Sequence, residues 1–182
     1  MKKAVFTALL VSVFSGAFAQ KYMTRTGKIS FFSSTPIERI EAFNDEVASI
    51  FDGKSGDIIF QVPIKSFKFE KQIMQEHFNE DYMESDKFPK SDFKGKIANV
   101  NEINLSKDGV YNTNAVGKLT MHGVTHDVTI PGTITVKGTE VTMSSKFKVK
   151  TKDYDIKIPA LVDGKIAKEI EVTVNSVVNP MH

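Results

Sequence analysis

The stretch VTIPGTITVKGTEVTMSSKFKV, residues 128–149, alternates apolar and polar side chains with period two on both sides of a single Gly-X pair. Val128, Ile130, Ile134 and Val136 share one face, against Thr129, Thr133, Thr135 and Lys137. Beyond the pair, Val141, Met143, Phe147 and Val149 share a face, against Thr142, Ser144, Lys146 and Lys148. This period belongs to strands with one buried face, and Gly138-Thr139 suits a two-residue type II′ hairpin. The turn sets Val136 opposite Val141, Ile134 opposite Met143 and Gly132 opposite Ser145. Continued, the register sets Ile130 opposite Phe147 and Val128 opposite Val149, so inward residues meet inward residues.

The alternation extends both ways. Upstream, Tyr111, Thr113, Ala115, Gly117, Leu119 and Met121 point to one side. Downstream, Ile166, Ile170, Val172, Val174 and Val178 form the apolar face of a closing strand. A loop over Gly123 to His126, closed by His122 opposite Asp127, places Met121 opposite Val128, Leu119 opposite Ile130 and Gly117 opposite Gly132. Many strands with one apolar face each and short turns describe an antiparallel sandwich or barrel.

The first half is less regular. Lys28 to Ser33 and Asp57 to Ile64 read as strands. Phe67 and Phe69 fall on the opposite parity, which predicts a bulge near Pro63 to Ser66. Thr35-Pro36 resembles a helix cap, and Ile37, Ile40, Val47 and Ile50 fit helical spacing, although Ile40 to Ala42 and Val47 to Phe51 also serve as short strands. The clearest helix candidate lies between Glu70 and Ser85, centred on 71–83, where Ile73, Met74, His77, Phe78 and Tyr82 make an amphipathic face. Phe88-Pro89 ends it, and Phe93 to Ile97 resumes a strand.

The N-terminus predicts export. Lys2 and Lys3 precede the uncharged run Ala4 to Phe14, and Ala17-Phe18-Ala19 has the small-x-small form of a signal-peptidase site. Residues 1–19 are thus the expected leader and 20–182 one domain, a soluble product beginning at Gln20. Without Lys2 and Lys3, 22 Lys+Arg face 22 Asp+Glu, so the net charge falls from +2 to zero. A neutral surface argues against a nucleic-acid partner. The chain has no Cys, which removes thiol catalysis and cysteine metal sites and requires a core that needs no disulfides.

The residues also match a family. His77-Phe78, Tyr82, Phe88-Pro89 and Phe93, then the string Gly117 to Thr125 (GKLTMHGVT), then Asp153-Tyr154-Asp155-Ile156 and the closing strand resemble the YceI family over nearly the whole mature chain. The resemblance implies a mainly β fold, a single lipocalin-like antiparallel barrel of about eight strands with a helix packed across it. It also implies periplasmic or secreted location and a polyisoprenoid chain in a long apolar pore, and it makes Ile40 to Asp52 a strand. Many members carry Arg-Asp before the helical His, where this chain has Gln75-Glu76, so no headgroup contact is carried over.

No catalytic constellation stands out, and no cofactor or metal is expected. His122 and His126 have i, i+4 spacing but straddle a turn, and no third ligand accompanies them; a cross-strand pair of His122 with Asp127 on the outer face is preferred. His77 reads as a buried, hydrogen-bonded histidine or a pore-mouth contact. The candidate pore-lining residues are Gly117, Leu119, Met121, Ile130, Gly132, Ile134, Met143, Ser145, Phe147 and Phe78. Gly117, Gly132 and Ser145 would form a band of small residues, leaving either a gap for one slender ligand or a sheet corner. The mature chain holds eleven Phe and no Trp, since three of its 14 Phe fall in the leader. The expected function is binding of an isoprenoid or other long apolar lipid, as a non-enzymatic carrier or buffer with transient membrane contact. The alternatives are a small-molecule enzyme or an interaction protein on the same barrel.

Overall fold

The computed structural model describes residues 21–181. The proposed leader and its cleavage site lie outside the described residues.

Nine strands form among the described residues: β1 (Lys21–Ser34), β2 (Arg39–Asp52), β3 (Asp57–Pro63), β4 (Lys68–Phe69), β5 (Lys90–Ile97), β6 (Gly109–Met121), β7 (Val124–Lys137), β8 (Glu140–Lys150) and β9 (Glu169–Pro180). Eight run in the order β1-β9-β8-β7-β6-β5-β3-β2, and β1 pairs with β2 to close an antiparallel barrel. The two-residue β4 takes the place of β3 beside Ala42 and Phe43 of β2. Closure leaves no long free edge.

The Gly138-Thr139 hairpin forms with Val136 opposite Val141, Ile134 opposite Met143 and Gly132 opposite Ser145. Gly138 takes the positive φ (59°) that the first turn position needs. There the ladder stops, so Ile130–Phe147 and Val128–Val149 do not pair. Pro131 has no N–H to donate, and its carbonyl instead accepts the Ser145 hydroxyl at 2.6 Å. Beyond this point β7 and β8 part.

The β6–β7 hairpin differs from the sequence reading. His122 (φ 50°) and Gly123 (φ 78°) form a two-residue turn, with Met121 opposite Val124, Leu119 opposite His126 and Lys118 opposite Asp127. Thus Met121 does not pair with Val128, nor Leu119 with Ile130, nor Gly117 with Gly132, nor His122 with Asp127. The register moves by four residues, an even number, which leaves the apolar side chains of both strands on their expected face; His122, expected on the outer face, becomes a turn residue and lies inward. Two left-handed residues in succession are the type I′ requirement, and burial of the His122 ring holds the non-glycine one there.

Thr35 to Phe51 is not a helix. Thr35 Oγ1 accepts from the backbone N–H of Ile37 and Glu38, so the cap read from sequence closes the β1–β2 turn instead. β2 buries Ala42, Asn44, Val47, Ser49 and Phe51. A bulge opposite Gly27 and Ile29 separates Asn44 from Val47 by three residues where two would be regular. The helical spacing of Ile37, Ile40, Val47 and Ile50 joins residues that the strand sends to opposite faces, Val47 inward and Ile50 outward. Two inward positions are polar and satisfied: Asn44 donates to the Pro63 carbonyl at 2.8 Å, and the hydroxyls of Ser49 and Ser176 lie 2.7 Å apart.

The parity break before Phe67 takes the form of a 3-10 turn at Ile64–Ser66. The helix is shorter than the pattern implies. α1 (Gln72–His77) runs directly into a π-helical turn, Phe78–Tyr82. The closing strand starts at Glu169, leaving Ile166 in the preceding segment.

Strand registers sort the loops by end. The turns at 52–57, 98–108 and 138–139 share one end with Lys21 and Pro180. That end is plugged by Tyr22, Phe51, Ile97, Val136, Val141 and Val178, all buried. The β1–β2 turn, α1, the His122-Gly123 turn and the segment 151–168 gather at the other end.

Candidate functional site

Above the plug the interior is hollow. A cavity of about 490 Å³ runs from Ile58, Ile97, Ile134 and Met143 to a mouth framed by Glu38, Ile73, Val162, Lys165 and Ile166. From Met143 to Val149 its wall follows roughly 20 Å of strand β8, at about 3.3 Å per residue.

Period-two alternation explains one wall: Ala115, Leu119 and Met121 from β6, Ile130, Gly132 and Ile134 from β7, Met143, Ser145 and Phe147 from β8. The opposite wall comes from the less regular half. Phe31 of β1, Phe67 before β4, Phe69 of β4 and Phe78 of the π-turn form a cluster of rings. Phe31 stacks on Phe78 with centroids 5.3 Å apart, and Phe69 and Phe67 lie 5.1 Å and 5.5 Å from Phe78. Offset and edge contacts of this kind favour aromatic clusters.

Nine of the ten residues singled out from sequence face this space. Gly117 does not. It sits opposite Gly95, and a Cβ added there would strike the carbonyl of Lys94 and the Cα of Gly95. The glycine lets β5 and β6 approach closely and leaves no opening. Thr113 instead stands opposite Gly132, so the small-residue band is Thr113, Gly132 and Ser145. Sequence reasoning missed Phe31, Phe67 and Phe69; the off-parity placement of the last two was their only local signal.

Polar groups are sparse inside and concentrated at the rim. Thr113 donates to Asn99 Oδ1 at 2.6 Å. Burial, and then the charge of Asp81, pushes the Tyr82 phenol up, so Tyr82 meets the cavity as a neutral hydroxyl. His77 is not buried; its ring is half exposed at the mouth, with Nδ1 2.6 Å from Asp81 Oδ2.

His122 lies inward, 9% exposed, with Nδ1 3.1 Å from the Tyr154 carbonyl and Nε2 2.8 Å from Glu84 Oε2. Phe88 packs edge-on against its ring at 4.6 Å. His126 Nε2 donates to the Asp153 carbonyl at 2.6 Å and its ring meets Tyr154 edge-on. The two histidines therefore fasten the helical segment and the 151–154 turn to the barrel rim. No group of three His, Asp or Glu among the described residues is placed to hold a metal ion.

The family model for the YceI-like domain matches residues 5–178. The chain belongs to the YceI-like family. No curated protein matches the sequence. Among solved structures, this YceI-like chain resembles a polyisoprenoid binding domain from Saccharophagus degradans implicated in plant cell wall breakdown. The TM-score is 0.78 at 12% identity, over 90% of this chain and 99% of that one. It also resembles Burkholderia cenocepacia BcnA, with a TM-score of 0.69 at 19% identity, over 84% and 95% of the two chains. A Campylobacter jejuni YCEI protein superimposes with a TM-score of 0.57 at 14% identity over the whole of both chains. At these identities the likeness establishes the shared YceI-like barrel.

Proposed function

We propose that this YceI-like protein is exported, works in the periplasm or outside the cell, and holds one long apolar, polyisoprenoid-type lipid in its barrel as a non-catalytic carrier or buffer. The observation that carries the reading is the barrel cavity of about 490 Å³, walled by aliphatic and phenyl groups from both halves of the barrel. The volume falls in the usual range for ligand pockets. Its elongation along the strands suits a chain rather than a compact molecule. At its mouth Glu38, His77 and Lys165 are the polar side chains that a headgroup would meet.

Hydrocarbon burial supplies the affinity. About ten methylene-sized groups taken from water contribute on the order of 8 kcal/mol before the loss of freedom on binding. Binding is favoured over catalysis because most of what faces the cavity is hydrocarbon, with the titratable groups Glu38, His77 and Lys165 at the mouth. The polyisoprenoid-binding neighbour from Saccharophagus degradans supports the ligand class. Export rests on the charged start, the apolar run and the Ala17-Phe18-Ala19 site.

Native mass spectrometry of the purified protein, followed by solvent extraction, tests the proposal. The expected result is a protein species heavier by one lipid mass, with an extracted polyprenyl or similar long-chain compound and an N-terminus at Gln20. Purified protein carrying no apolar adduct, and taking up none from a long-chain isoprenoid supplied in detergent, would overturn it.

A further inference from the structure

Three separate segments bring large apolar side chains into water around the cavity mouth. Leu161, in a 3-10 turn at Ala160–Val162, is 93% exposed; Ile37, at the tip of the β1–β2 turn, is 68% exposed; Ile73 of α1 is 54% exposed. They form one rim. A Cβ at Gly164 would lie 3.4 Å from Ile37 Cδ1, and the Ala167 amide donates to Ser33 Oγ at 2.9 Å, tying the 160–168 segment to β1. Ile73, Val162 and Lys165 also line the cavity, so the rim and the opening are continuous.

The cations of the rim gather beside Leu161. Segment 157–168 carries Lys157, Lys165 and Lys168 against Asp163, whereas the helical segment 70–82 carries Lys71 against Glu70, Glu76, Glu80 and Asp81. Lys71 lies 3.9 Å from Glu38, and Arg39 sits over the Phe32 ring. Lys157, Lys165 and Lys168 are exposed, and among the described residues none of them reaches a carboxylate within ion-pair distance. Apolar tips among unpaired lysines are the arrangement that settles on an anionic lipid surface, tips into the acyl boundary and ammonium groups among the headgroups.

The geometry points to the mouth rim as a docking surface for an anionic lipid bilayer, with Leu161, Ile37 and Ile73 inserted and the cavity opening directly onto the membrane. It rests on the lipid-binding reading for its purpose, since an apolar cargo would then pass between membrane and barrel without crossing water. The closed end supplies an internal control: Val110 is 69% exposed there, remote from the cavity.

Sedimentation of the protein with phosphatidylglycerol vesicles and with phosphatidylcholine vesicles tests the inference. Wild-type protein should bind the anionic vesicles preferentially and weaken as salt rises. Leu161→Asp with Ile37→Asp should lower the partition at least about tenfold, the scale of one buried leucine side chain. Lys157→Glu with Lys168→Glu should lower it by a similar amount, since each basic residue near such a surface is worth about fivefold. Val110→Asp should leave it unchanged, and every variant should keep its extractable lipid. The inference is overturned if wild type binds neither vesicle, if the rim variants bind like wild type, or if Val110→Asp loses as much as they do. Protein that holds lipid but ignores vesicles refutes the rim and spares the cargo. Protein that docks through the rim but holds no lipid refutes the cargo and spares the rim.

Discussion

The Nε2 atom of His122 lies 2.8 Å from Oε2 of Glu84, joining residues 38 apart in sequence, and both hold left-handed backbone, at φ 50° and 42°. The Tyr154 carbonyl on the other side of the ring can only accept, so Nδ1 carries a hydrogen. One side chain thus ties the end of the helical segment, the β6–β7 turn and the 151–154 turn together at the mouth. The string around His122 that marks the family is, in this fold, a fastening of the rim.

His122→Ala should destabilise the protein by about 2 kcal/mol, because it strands the buried Tyr154 carbonyl and removes a hydrogen bond to a charged group. Glu84→Gln should cost less, about 1 kcal/mol, since the half-exposed carboxylate is screened by water. Urea denaturation of the two variants measures the difference. His122→Asn separates the causes: Asn tolerates left-handed backbone, so a loss as large as that of His122→Ala assigns the effect to the contacts and not to the turn.

Gly95 and Gly117 face each other across β5 and β6. A Cβ on either would strike backbone: the carbonyl of Val116 for Gly95, that of Lys94 for Gly117. Backbone yields less readily than a side chain, so Gly95→Ala and Gly117→Ala should each cost about 1–3 kcal/mol. Gly138→Ala meets no atom within 4 Å and should cost only the strain of its positive φ. Thermal unfolding ranks the three.

The sequence made the fold legible where one property alternated cleanly. β6, β7 and β8 bury an apolar face, and Gly138 marks a turn that only a few residue types can make. The β6–β7 register escaped because a period of two is blind to an even shift, and nothing in the letters announces that His122 adopts φ 50°. β2 escaped for a different reason. Asn44 and Ser49 point inward and find partners across the barrel, while Phe43 and Ile50 face out, so the local pattern inverts what the fold requires. The family resemblance read that segment as a strand where propensity could not. At the site, the wall built by β6 to β8 was readable. The phenyl wall was not, because Phe31, Phe67 and Phe69 converge from segments whose geometry is set by a 3-10 turn and a two-residue strand.

Asp52 caps the β2–β3 turn: its Oδ1 accepts from the backbone N–H of Lys54 at 2.9 Å and Ser55 at 3.0 Å. These bonds favour the charged form and hold the carboxyl below the usual carboxylate range. A depressed folded-state pKa means the contribution is fully present above the unfolded value near 4, and fades as pH falls through the lower folded value. Asp52→Ala should therefore destabilise by about 0.5–1 kcal/mol at neutral pH, the size of a lost side-chain cap. The gap between variant and wild type should close as denaturation is repeated at successively more acid pH. A gap that widened in acid would contradict the assignment.

The lipid path is tested best at Ala115. Its side chain lines the cavity near its floor, between Ile97 and Ile130 on the neighbouring strands. Gly132→Leu is a poorer probe, because even a Cβ there would lie 2.6 Å from the Ser144 carbonyl, and lost lipid could not be told from a disturbed sheet. Ser145→Leu removes the hydroxyl bonded to the Pro131 carbonyl. Ala115→Phe adds a ring without taking away a polar contact. If a tail runs down the barrel, the ring fills the space the tail needs, and extractable lipid should fall severalfold while the melting temperature of the lipid-free protein holds or rises as the void closes. If the interior is packed without a ligand, the ring should instead destabilise by about 1–3 kcal/mol. Lipid content and melting temperature measured on one preparation separate these outcomes. A folded variant with unchanged lipid would show that the tail does not pass Ala115.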